Sequence, residues 1–143
     1  MRLGGNQKVE LIGKVPLFEQ CSKRELEEVA KIADEIDLDA AKPLMREGDP
    51  GREFFVLLEG TAEVTRDGEQ INTLGPGDFF GEIALISQGP RTATVTTTSP
   101  VRALVITERS FRRLVEQSPE IERKVLAAAV DRLNPRFTRE AQR

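Results

Sequence analysis

The sequence predicts a mainly β domain of jelly-roll or barrel type, with helices at both ends. Three observations carry this reading. The centre of the 143-residue chain holds short β-type runs separated by turn residues, the Asp67-Gly68 pair between two of them is a hairpin signal, and the flanks switch to helical spacing of apolar residues.

Taken in order, the segment VELIGKVPLF reads as a short helix or turn packed on the core. Ser22 with Glu25 three residues on forms a capping box, and Leu26, Val29, Ala30 and Ala33 follow at helical spacing, so a helix is expected over 22–34. The period then changes. FFVLLEG, TAEVTRD and QINTL read as strands broken by Gly60 and by Asp67-Gly68, and RTATVTTT and VRALVIT bracket Ser99-Pro100 as a second hairpin. After Thr107 the spacing is helical again. Glu108, Phe111, Leu114 and Val115 mark one helix, Ser118-Pro119 starts another, and Ile121, Val125, Ala129 and Leu133 form an apolar stripe along it. Pro135 is expected to end that helix, leaving a frayed tail to Arg143.

Composition narrows the chemistry. A net charge of −3 argues against a nucleic-acid surface, which needs a basic face. The chain has no histidine, which excludes an imidazole-liganded metal site and a Ser/His or Cys/His hydrolase. No catalytic residue, metal ligand or cofactor is therefore assigned, and the chain is not read as an enzyme. The lone Cys21 cannot form an internal disulfide, no stretch approaches the roughly 20 apolar residues of a membrane span, and MRLGGNQK lacks the apolar core of a signal peptide. A cytoplasmic domain without membrane contact is expected.

The densest chemistry lies in GDFFGEIALISQGPRTATV, from Gly77 to Val95. Gly81 lets backbone approach a ligand, and Ile83, Ala84 and Leu85 open a short helix whose first N–H groups lack intrahelical partners, a start that attracts phosphate. Arg91 adds a forked, charge-assisted donor and Thr92 a hydroxyl beside it. Glu82 would repel a phosphate and is better suited to accept from a sugar hydroxyl, although it also suits the helix dipole. The segment implies an anion held next to a sugar.

FGEIAL followed by PRTATV resembles the phosphate-binding cassette of the cyclic nucleotide-binding domain family. REGDPG from Arg46, FFVLLEGTAEV from Phe54 and the two helical segments after Thr107 fall in the same order, so the resemblance covers roughly residues 14–134. It implies an eight-stranded antiparallel jelly-roll, or β-roll, with N-terminal helices and a C-terminal helical lid. Residues 1–13 become an N-terminal extension and 135–143 a tail.

It also implies a ligand, cAMP or cGMP, and a set of roles. Phosphate falls to Arg91, Thr92, Gly81, Ile83, Ala84 and Leu85, and ribose to Glu82 and Gly81. The base falls to Val64, Ile71 and Leu74, to Thr92, which in some members contacts guanine, and to Arg132, similar to a lid arginine that stacks on the purine. Read without the family, the three apolar residues serve as core, Thr92 as a strand former and Arg132 as a helix-end cation. By resemblance the domain is a ligand-driven switch for a protein effector or fused effector domain. The alternatives are a non-binding scaffold of the same fold and the sensor fragment of a transcription regulator. Ala41 and Pro43, in DAAKPLM, depart from the family's turn pattern and put the first hairpin in doubt.

Overall fold

The computed structural model describes residues 4–133. Eight strands in this range form two four-stranded antiparallel sheets, ordered β1-β8-β3-β6 and β2-β7-β4-β5. Helices α1 (Gly5–Gly13), α2 (Lys23–Ile32), α4 (Glu108–Gln117) and α5 (Pro119–Leu133) gather on the first sheet, and α3 (Glu82–Ser87) follows β6. The strands are β1 (Ala33–Leu38), β2 (Pro43–Met45), β3 (Glu53–Glu59), β4 (Ala62–Arg66), β5 (Glu69–Leu74), β6 (Phe79–Phe80), β7 (Thr94–Thr97) and β8 (Val101–Thr107). This is the jelly-roll the sequence predicts.

The run FFVLL in β3 has no polar face because both of its faces are covered. Phe54, Val56 and Leu58 join a helix-side core with Ile12, Phe18, Val29, Leu104, Phe111, Ile121 and Val125. Phe55 and Leu57 point the other way, into a core between the sheets with Leu74, Phe80, Val95 and Ala103. Ile12 is fully buried in this core, so α1 packs on it, as the reading of VELIGKVPLF expects.

Local signals explain most boundaries. Ser22 accepts from the Glu25 N–H and Glu25 from the Ser22 N–H, completing the capping box of α2. The helix stops earlier than expected. Ala33 has extended angles and pairs with Ile106, because the sheet edge captures the chain as it leaves the last helical turn. Asp67 and Gly68 both have positive φ between the paired Arg66 and Glu69, as a tight two-residue hairpin requires.

Ser99-Pro100 does not make a hairpin. β7 pairs with β2 and β4, whereas β8 pairs with β1 and β3, so this link carries the chain from one sheet to the other. The return crossing lies against it: a side chain on Gly60 would meet the Pro100 carbonyl at 2.2 Å. The departures at Ala41 and Pro43 are absorbed locally. Pro43 opens an edge strand, where a missing donor costs least, and the Thr97 hydroxyl bridges the turn by accepting from the Lys42 N–H and donating to the Asp39 carbonyl. Pro135 and the tail lie outside the described residues.

Phe54 is fully buried and packs its ring against Phe79 and Phe111 at 5.5 and 4.7 Å between centroids. Replacing it with alanine should cost about 3–5 kcal/mol, read from urea unfolding. A loss below about 1 kcal/mol would contradict the close packing of this layer.

Candidate functional site

The sheet carrying β4, β5 and β7 leaves its inner face open at one end, where α3 and the last turns of α5 close over it. The space enclosed is about 430 Å³. Val64, Ile71, Leu74, Gly81, Glu82, Ile83, Ala84, Arg91, Thr92 and Arg132 all line it. Leu85 is the exception: its side chain lies in the helix-side core.

Arg91 is the centre of the arrangement. Its side chain is 5% exposed, and its two terminal nitrogens donate to main-chain carbonyls, Nη1 to Gly81 at 3.0 Å and Nη2 to Glu53 at 2.8 Å. The guanidinium also lies 5.7 Å from the centroid of Phe55, whose ring stacks on Phe80. Among the described residues none of the ion pairs includes Arg91. Burial lowers its pKa from the ordinary arginine value, with the charges of Glu53 and Glu82 opposing that shift. These two bonds occupy two of the five guanidinium N–H groups, so a held, buried cation borders the cavity.

Gly81 makes this geometry possible. It caps α3 in the left-handed region, with φ at 93°, and a side chain there would lie 2.9 Å from both Arg91 Nη1 and the Glu53 carbonyl. The first turn of α3 therefore starts beside the guanidinium, with its unpaired N–H groups and the cation at one end of the cavity.

Glu82 is 1% exposed and is held from the lid. Arg132 of α5 donates through Nη1 to both Glu82 carboxylate oxygens, at 2.8 Å to Oε2, and through Nη2 to the Phe79 carbonyl at 2.7 Å. Its guanidinium lies 5.3 Å from the Phe79 ring. The helix-end arginine and the buried carboxylate, separated by fifty residues, thus meet at the cavity. The other end of α5 is tied down as well, with Lys124 donating to the Pro16 carbonyl at 2.6 Å.

The register adds residues that sequence reasoning missed. Val64 pairs directly with Asn72, and Ala62 with Leu74, so Asn72 shares the inner face with Val64 and Leu74. The pairing slips between Val64 and Thr65, which places Ile71 at a bulge that also borders the cavity. An apolar search favours Ile71 and passes over the amide. Arg66 borders the cavity too, and its Nε donates to the Thr92 carbonyl at 2.9 Å, steadying the residue after Arg91. The alternation of β4 from Val64 to Arg66 was the available signal. The carbonyls that hold Arg91 and Arg132 left none, since any residue supplies one. No group of residues that could hold a metal ion occurs among those described.

Removing one partner of the Arg132–Glu82 pair leaves a buried carboxylate without its donor. Arg132→Gln should lower stability by about 1–3 kcal/mol, and a Glu82→Gln/Arg132→Gln double variant should lose less than the sum of the single changes. Additive losses in thermal unfolding would show that the pair contributes nothing.

The comparisons with known proteins bear on this geometry. Residues 35–118 match the family model described as "Cyclic nucleotide-binding domain". A "cAMP-dependent protein kinase regulatory subunit" of Mycosarcoma maydis is 40% identical over 71% of this chain and 21% of its own. The "Cyclic nucleotide-gated potassium channel mll3241" of Mesorhizobium japonicum is 35% identical over 86% of this chain and 34% of its own. This chain thus spans a fifth to a third of those relatives. Among solved structures, "cAMP bound PfPKA-R (141-441)" superposes with a TM-score of 0.77 at 26% identity, covering 87% of this chain and 46% of that one. The fold, the Gly81-to-Arg91 segment and the match over residues 35–118 agree: the chain belongs to the cyclic nucleotide-binding domain family.

Proposed function

We propose that this domain binds a 3′,5′-cyclic purine nucleotide, cAMP in preference to cGMP, and passes the binding event to an effector through α5. The observation that carries the reading is Arg91: a buried guanidinium whose bonds, among the described residues, go to the carbonyls of Gly81 and Glu53, facing a cavity beside the start of α3. A buried cation without a carboxylate partner favours an anionic ligand. The cyclic phosphate takes that place, with Arg91, the Thr92 hydroxyl and the backbone N–H groups of the first turn of α3, Glu82 to Ala84, as donors. Leu85 is left out of this set, since its side chain is committed to the core and its N–H is the first to bond within the helix.

The ribose then falls beside Glu82, whose carboxylate accepts from the sugar hydroxyl. The base lies against Val64, Leu74 and Ile71, with Thr92 at its edge. Arg132 reaches the same carboxylate from the lid, so a sugar hydroxyl arriving at Glu82 changes what holds α5 in place. Stacking of Arg132 on the purine is the alternative use of that side chain. Two of the similar proteins, whose printed names mention cAMP, support the choice of ligand. Coupling of ~1–3 kcal/mol between ligand and lid is the usual scale. The binding unit is placed in residues 14–134, and the effector, a fused domain or a separate protein, beyond it.

Titration of cAMP and cGMP into nucleotide-stripped protein tests the reading. A ligand at ~100 times its Kd should stabilise the fold by roughly 2.7 kcal/mol, seen as a raised Tm. Arg91→Ala should weaken binding by about 2–5 kcal/mol. Folded protein that responds to neither nucleotide would turn the assignment towards a scaffold role, and unchanged affinity in Arg91→Ala would remove Arg91 from the site.

A further inference from the structure

Gly51 lies outside the Gly77-to-Val95 segment and is easily taken for a turn glycine. Its backbone does not need to be glycine, because it is absent from the positive-φ residues of the chain. Space explains it instead. A Cβ at position 51 would lie 2.3 Å from the Ala84 Cβ and 3.1 Å from both Cδ and Nε of Arg91. Only a residue without a side chain lets this stretch of backbone lie against the first turn of α3 and the aliphatic stem of Arg91.

The neighbours of Gly51 hold the same arginine by its main chain. The Gly48 N–H donates to the Arg91 carbonyl at 2.9 Å, and the Arg91 N–H donates to the Asp49 carbonyl at 2.8 Å. Pro50 and Pro90 form an isolated antiparallel bridge. Glu53, two residues further on, supplies the carbonyl that receives Nη2. Residues 48–53 thus grip Arg91 by its backbone, by its stem and by one end of its guanidinium.

We propose that Gly51 is a positioning residue for the nucleotide site: its missing side chain sets the distance between Arg91 and α3, and so the fit of the anion between them. This rests on the cyclic-nucleotide reading of the site. A methyl at 51 would force Ala84 and the Arg91 stem apart while leaving every donor in the chain.

Three variants test this. Gly51→Ala should bind cAMP at least roughly tenfold more weakly than the unaltered chain. Gly75→Ala, at a glycine with open space and no positive φ, should bind like the unaltered chain. Gly51→Ala/Ala84→Gly removes the methyl that the new Cβ meets and should recover part of the loss, the rest remaining because the Arg91 stem is still crowded. Unchanged affinity in Gly51→Ala, or a double variant no better than the single, overturns the proposal. If Gly51→Ala does not fold, the double variant is compared with Ala84→Gly alone: weaker cAMP binding by the folded double variant supports the proposal, and equal binding overturns it.

A readout without ligand separates this proposal from the nucleotide reading. The NMR resonance of the Arg91 Nε–H, identified by its loss in Arg91→Lys, should shift in nucleotide-free Gly51→Ala and move part of the way back in the double variant. No shift overturns the positioning role whatever the chain binds. A shift in a chain that binds no cyclic nucleotide leaves the positioning role standing and overturns the ligand assignment alone.

Discussion

The whole site depends on keeping one guanidinium charged, buried and still. Arg91 satisfies this by bonding to two carbonyls from different parts of the fold, Gly81 at the start of α3 and Glu53 at the start of β3. A carboxylate would hold a buried arginine more strongly, but it would also neutralise the charge that an anion needs. Carbonyls orient the fork, and the nearby charges of Glu53 and Glu82 partly offset its own. The cost falls on the surrounding backbone, which must bring two carbonyl groups to the guanidinium and leave room for its stem, and Gly51 and Gly81 meet that demand.

The lid is held by the complementary device. Arg132 brings a cation to a carboxylate that is almost fully buried, so Glu82 has one charged partner from α5 and faces the cavity with the rest of its acceptor capacity. Because the same helix is anchored through Lys124 to the Pro16 carbonyl, a change at its last turn acts against a fixed start.

Much of this was legible in the sequence, for physical reasons. The Asp67-Gly68 turn needs positive φ, the capping box at Ser22 has its own pattern, and Gly81, Glu82 and Arg91 lie close enough in sequence for their chemistry to be read together. What could not be read depends on partners far along the chain. Ala33 looks helical until Ile106 pairs with it, and Ser99-Pro100 looks like a hairpin until its two strands are found in different sheets. Nothing in Asn72 itself marks it as inward-facing; register with Val64 turns it inward. Gly51 carries no local sign at all, since the atoms it makes room for are more than thirty residues away.

The strand β3 has both faces buried, one against the helices and one against the core below the cavity. Its sequence is therefore constrained twice at every turn of the pleat, with no solvent-facing position between Phe54 and Leu58 at which a substitution would be cheap. The strand also makes the helical layer and the cavity-side layer one mechanical body, so a sideways displacement of this backbone on one side is felt on the other without any hinge between them.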